Sequence, residues 1–117
     1  MIKETYCSFK VSKLLKEKGF DAPTIDYYDN TGKTIYGTLA INRNFLKGQI
    51  SKPTHQLAMA WLREKKIFIY IRPLENGNCF SSHILYNEID KLVEGWSFGT
   101  YEEAVEAALK FCLTELM

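Results

Sequence analysis

Hydrophobic spacing changes from helical to strand periodicity within one or two residues in the stretch Pro53 to Pro73, PTHQLAMAWLREKKIFIYIRP. Leu57, Ala58, Trp61 and Leu62 recur at i, i+1, i+4 and i+5, an apolar stripe down one side of a helix, and Arg63, Glu64, Lys65 and Lys66 close it with charge. Thr54 is placed to cap that helix because its hydroxyl can accept from an unpaired first-turn N–H, and Pro53 cannot extend the helix backwards. From Ile67 the period is two: Ile67, Ile69 and Ile71 point one way, Phe68, Tyr70 and Arg72 the other. Pro73 removes a ladder donor, so the strand is predicted to stop there.

The same reading along the rest of the chain gives two more helices and two hairpins. Ser8 can cap a helix whose Val11, Leu14 and Leu15 form the buried stripe, opposite Lys10, Lys13, Lys16 and Glu17. Gly19 ends it by taking the left-handed conformation without a Cβ penalty, and Phe20 can fold back onto the helix. Ile25 to Tyr28 and Lys33 to Tyr36 flank Asp29-Asn30-Thr31-Gly32 as a tight hairpin. Between Gly37 and Lys52 the pattern is mixed, with strand character from Thr38 to Ile41 and loop residues at Asn42, Arg43, Asn44 and Gly48. Ile67 to Arg72 pairs with Cys79 to Tyr86 across Glu75-Asn76-Gly77-Asn78, whose Asn-Gly suits a hairpin turn. Thr100-Tyr101-Glu102-Glu103 is a capping box opening a last helix with Val105, Ala108, Leu109, Cys112 and Leu116 along its apolar face.

Strands joined by short turns are antiparallel, and three amphipathic helices each need a cover. The expected fold is therefore α+β: an antiparallel sheet of four or five strands packed with three helices, in the order helix, hairpin, helix, hairpin, helix. A length of 117 residues suits one domain, residues 1–117. The chain is 46% hydrophobic and 25% charged, which matches ordinary globular usage and argues against long disorder. A formal net charge of +1 supplies no field for a polyanion, so a nucleic-acid or membrane surface would have to be a local patch. No apolar run approaches the roughly 18 residues of a membrane-spanning helix, and Met1-Ile2-Lys3-Glu4 does not open a signal peptide's apolar region, so a cytoplasmic protein is expected. Cys7, Cys79 and Cys112 are odd in number and far apart, which suits reduced thiols better than a disulfide framework.

Several of these segments, taken together, have a counterpart. Cys7-Ser8-Phe9 ahead of Leu14-Leu15-Lys16-Glu17-Lys18-Gly19-Phe20, Pro53-Thr54 with Leu57-Ala58 and Trp61-Leu62-Arg63-Glu64, and Phe98-Gly99-Thr100-Tyr101-Glu102-Glu103-Ala104 resemble a family of short uncharacterised proteins of gut bacteria and their phages. The resemblance spans most of the chain, least in Gly37 to Ser51, and rests on helix starts and stripes. It implies a phage or mobile-element context and an accessory or binding protein rather than a metabolic enzyme, and it carries over no functional residue.

Candidate chemistry narrows quickly. Gly32-Lys33-Thr34 imitates the end of a phosphate-binding loop, but Tyr27 stands where the loop requires glycine and a strand follows where it requires a helix. Cys79, Ser81 and His83 share one strand face and could bring a thiol to an imidazole, yet that spacing supplies neither an oxyanion donor nor an orienting group. Zinc would need further ligands from Cys7, His55 or Cys112, and His55 reads as an exposed first-turn residue. Glu102 and Glu103 complement a helix dipole, and Asp26 and Asp29 flank a turn.

Aromatic residues carry more. Phe68, Tyr70 and Arg72, with Phe80 nearby and Lys65 and Lys66 beside them, would form a stacking platform for single-stranded nucleic acid if helices cover the isoleucine face. Trp96, Phe98 and Tyr101 around Gly95 and Gly99 read as a recognition loop or as a plug of the core. The expectation is a non-enzymatic accessory protein without cofactor or metal, acting on a protein partner or a second copy of itself through the sheet face or the Gly37 to Ser51 loop. Its binding residues would be Lys65, Lys66, Phe68, Tyr70, Arg72, Trp96 and Phe98. The alternatives are nucleic-acid binding through Phe68, Tyr70 and Arg72 with Lys65 and Lys66, and a thiol enzyme using Cys79 and His83.

Overall fold

The computed structural model describes residues 3–93 and 97–117. Its elements are α1 (Phe9–Glu17), β1 (Tyr27–Tyr28), β2 (Thr34–Ile35), β3 (Ile50–Ser51), α2 (His55–Glu64), β4 (Ile67–Leu74), β5 (Cys79–Tyr86), β6 (Ile89–Leu92) and α3 (Tyr101–Phe111). The α+β class is as expected, but the single sheet of four or five strands is not formed. Six strands make two three-stranded antiparallel sheets, ordered β2-β1-β3 and β4-β5-β6. The expected alternation of helices and hairpins is interrupted by two strands it lacked, β3 before α2 and β6 before α3. The chain divides into two compact units, residues 1–58 and 59–117, each holding one sheet.

In residues 1–58, Ser8 caps α1 by accepting from the Val11 N–H at 3.2 Å, and the Phe20 N–H folds back to the Leu15 carbonyl at 3.0 Å beyond Gly19 (φ +88°). Val11, Ser12 and Leu15 are the buried positions of α1, Leu14 being half-buried. The helix lies against β3, and the buried Tyr28 hydroxyl donates to the Cys7 carbonyl at 2.6 Å. The segment that reads as mixed is held by its polar side chains. Asn44 donates to the Phe20 carbonyl at 2.9 Å and accepts from the Ser51 N–H at 2.8 Å; the buried Arg43 donates to the Leu39 carbonyl at 2.7 Å and stands over the Tyr27 ring. Thr38 to Ile41 is not a strand; only Ile41 bridges, to Thr24.

In residues 59–117, α3 covers one face of β4 and β5. Thr100 caps it, accepting from the Glu103 N–H at 3.1 Å, and Ser82 pins strand to helix by donating to the Ala104 carbonyl at 2.6 Å. Ile67, Ile84, Val105, Ala108, Leu109, Cys112 and Leu113 are buried, and a π-helical turn, Cys112–Leu116, prolongs α3. β4 runs past Pro73, which pairs with Phe80, to Leu74. An edge strand has a neighbour on one side only, so a missing N–H is tolerated there. The β4–β5 turn places Glu75, Asn76 and Gly77 at positive φ, and Asn87 and Glu88 do the same between β5 and β6, a two-residue turn of the primed kind.

A candidate binding face on the second sheet

The register of β4, β5 and β6 fixes which side chains share a face. Opposed residues point the same way, so Phe68, Tyr70 and Arg72 lie with Leu85, His83 and Ser81, and with Asp90 and Leu92 on β6. Their neighbours Ile67, Ile69 and Ile71 turn with Ile84 toward α3. The outward face carries exposed side chains: Phe68 is 39%, Tyr70 43%, Leu85 39% and Leu92 49% exposed. Four large apolar or aromatic side chains on one rigid three-stranded surface are not what water alone selects.

Polar groups tie this face together. The Tyr70 ring stacks on His83 with centroids 4.6 Å apart and 9° between planes, and its hydroxyl donates to Asp90 Oδ2 at 2.5 Å. That bond to Asp90 raises the phenol above its usual value, because the neutral form is the one that donates. On its other side, His83 Nε2 meets Ser81 Oγ at 2.8 Å. The rings are thus fixed from two directions and presented in one orientation.

Other expected site residues are placed differently. Lys65, in the turn after α2, holds its Nζ 4.4 Å from the centroid of the Trp61 ring of that helix, and Lys66 beside it is exposed in the left-handed conformation (φ +64°). Phe80 opposes Pro73 and so belongs to the α3 side, where it meets Tyr101 edge-on at 6.1 Å. Phe98 bridges to Phe80 and shares that side, so neither joins the open face. Trp96 lies outside the described residues.

Cys79 and His83 share a face but stand four positions apart, about 13 Å along a strand. The imidazole meets Ser81 Oγ instead, so the thiol–imidazole contact a nucleophile needs is not made. The Gly32-Lys33-Thr34 turn is closed by Asp29, whose Oδ1 accepts from the Thr31 N–H and hydroxyl at 2.8 and 2.6 Å and from the Lys33 N–H at 3.0 Å. A carboxylate already occupies the N–H groups that a phosphate would need. His55 is buried rather than exposed, its Nδ1 2.8 Å from Thr5 Oγ1, because the segment before α1 pairs across the start of α2. Its ring lies within 4.8 Å of the Cys7 thiol, two of the donor types a soft metal uses; a structural zinc takes four.

Among the described residues no helix is long and apolar enough to cross a membrane. Sequence reasoning found Phe68, Tyr70 and Arg72 by alternation alone. It missed Asp90 and Leu92, because β6 follows an Asn-Glu turn that lacks the glycine signal and its Ile-Asp-Lys-Leu run does not alternate, and it did not single out Leu85 on the β5 strand it had assigned. Set against known protein families, curated proteins and solved structures, the chain matches none, so the geometry of this face carries the functional reading.

Proposed function

We propose that the chain is a non-enzymatic accessory protein that binds other protein through the open face of β4, β5 and β6. The observation that carries this reading is the exposed group of Phe68, Tyr70, Leu85 and Leu92 on a surface backed by α3. Aromatic anchors held in fixed rotamers lose little side-chain entropy on binding, and Tyr70, clamped by His83 and Asp90, is such an anchor. A cytoplasmic setting and a phage or mobile-element context belong to the same proposal, in keeping with the sequence resemblance.

The nucleic-acid reading keeps one supporting observation, two exposed aromatic rings beside the exposed Arg72. Against it, Asp90 brings a negative charge onto the same face and Lys65 is engaged by Trp61. A photo-crosslinking amino acid in place of Phe68 decides between them, with the exposed Phe45 as the control position. Protein adducts from position 68 that are lost on Leu92→Lys are the expected result. Oligonucleotide adducts would move the function to nucleic acid, and no adduct from position 68 would sink the binding face.

A further inference from the structure

We propose that the open face associates with a second copy of this chain, about a two-fold axis through His83 that sets Arg72 of each copy against Asp90 of the other. This rests on reading the face as a protein-binding surface and names its occupant. Among the described strand residues of that face, the two charged side chains are Arg72 and Asp90, opposite in sign and at opposite corners. Arg72 on β4 lies level with Ser81, Asp90 on β6 lies level with Leu85, and His83 stands midway on the central strand.

Four residue steps and two strand spacings separate the corners, about 13 Å along and about 10 Å across, so one copy cannot pair its own charges. A two-fold axis in the plane of contact, perpendicular to the line between the corners, exchanges them. The result is two identical ion pairs, the self-complementarity that an isologous dimer requires. From the same spacings the strands of the two copies cross at about 70°, near the orthogonal class of sheet packing. The rotation also lays Phe68 against its own copy and Leu85 toward Tyr70, so the apolar side chains are covered as well.

Three strands of up to eight residues give a face of about 26 by 14 Å, and crossing at about 70° two such faces overlap over about 200 Å², well short of the ~800 Å² that each partner buries in a standard interface. The association is therefore weak and concentration-dependent, and the ion pairs fix its geometry more than its strength. A polyanion suits the face less well, because its single positive charge is matched by a negative one.

Sedimentation of the full chain from about 10 µM to about 1 mM tests this, and the expected mass rises from one chain toward two, less so in high salt. Arg72→Asp and Asp90→Arg are each expected to weaken self-association about tenfold or more, since each places like charges together at both corners. Mixed in equal amounts, the two variants are expected to associate with one another, because both corners then become attractive. Phe68→Glu, which alters neither charge, is a second variant expected to abolish association, with circular dichroism confirming that each variant folds. A chain that stays monomeric throughout overturns the second copy as occupant, and crosslinks from position 68 to another protein would still uphold the binding face. A dimer indifferent to all three substitutions uses another surface and overturns the inference as well.

Discussion

Single residues decide more here than their types announce. Asp29 looks like any turn residue, yet three donors converge on its carboxylate. The Thr31 hydroxyl first, then the Lys33 and Thr31 N–H groups, hold it below the usual carboxylate range. A carboxyl whose folded value lies below its unfolded one contributes stability above the unfolded value and loses it as pH falls through the folded one. The stability difference between the wild type and Asp29→Asn should thus be constant above about pH 5 and shrink below about pH 4. A difference that does not change with pH in urea titrations would mean the turn does not depend on this charge. Gly37 is the other residue whose type matters, because a Cβ there would meet the Ile25 carbonyl oxygen at 2.2 Å.

At the scale of elements, β4 shows how far periodicity reaches. Its alternation separates an isoleucine face from an aromatic one, and the burial follows that division from Ile67 to Arg72, breaking only at Pro73 and Leu74 at the strand's end. The difference between the faces should be measurable. Leu109→Ala, in the fully buried stripe of α3, is expected to cost about 2–5 kcal/mol of stability. Leu85→Ala, on the open face, should stay within about 0.5 kcal/mol. Urea midpoints compare the two, and equal losses would mean that the open face is packed against something in solution. The strands that sequence missed were missed for physical reasons: β3 is two residues long, too short for any period to show, and β6 is reached through a turn with no glycine.

For the molecule as a whole, the thiols report which parts are closed. Cys7 and Cys112 are fully buried, Cys79 is half-buried at the start of β5, and burial pushes the Cys112 thiol up to about 12. At pH 8 an aromatic disulfide reagent should titrate one thiol, Cys79, in the native protein and all three of the chain after denaturation. Rapid reaction of two or more native thiols would contradict the buried positions. The sequence by itself determined the three helices with their N-caps Ser8, Thr54 and Thr100, both hairpins, the α+β class and the division of β4 into two faces, because caps, turns and alternation are local properties of neighbouring residues. Tertiary structure alone decided that the strands form two sheets rather than one, that His83 meets Ser81 and Tyr70 rather than Cys79, that Phe98 turns to the α3 side, and that Asp90 and Leu92 complete the open face. Those outcomes depend on register between strands distant in sequence, and the energy that sets register comes from side chains that meet only after folding.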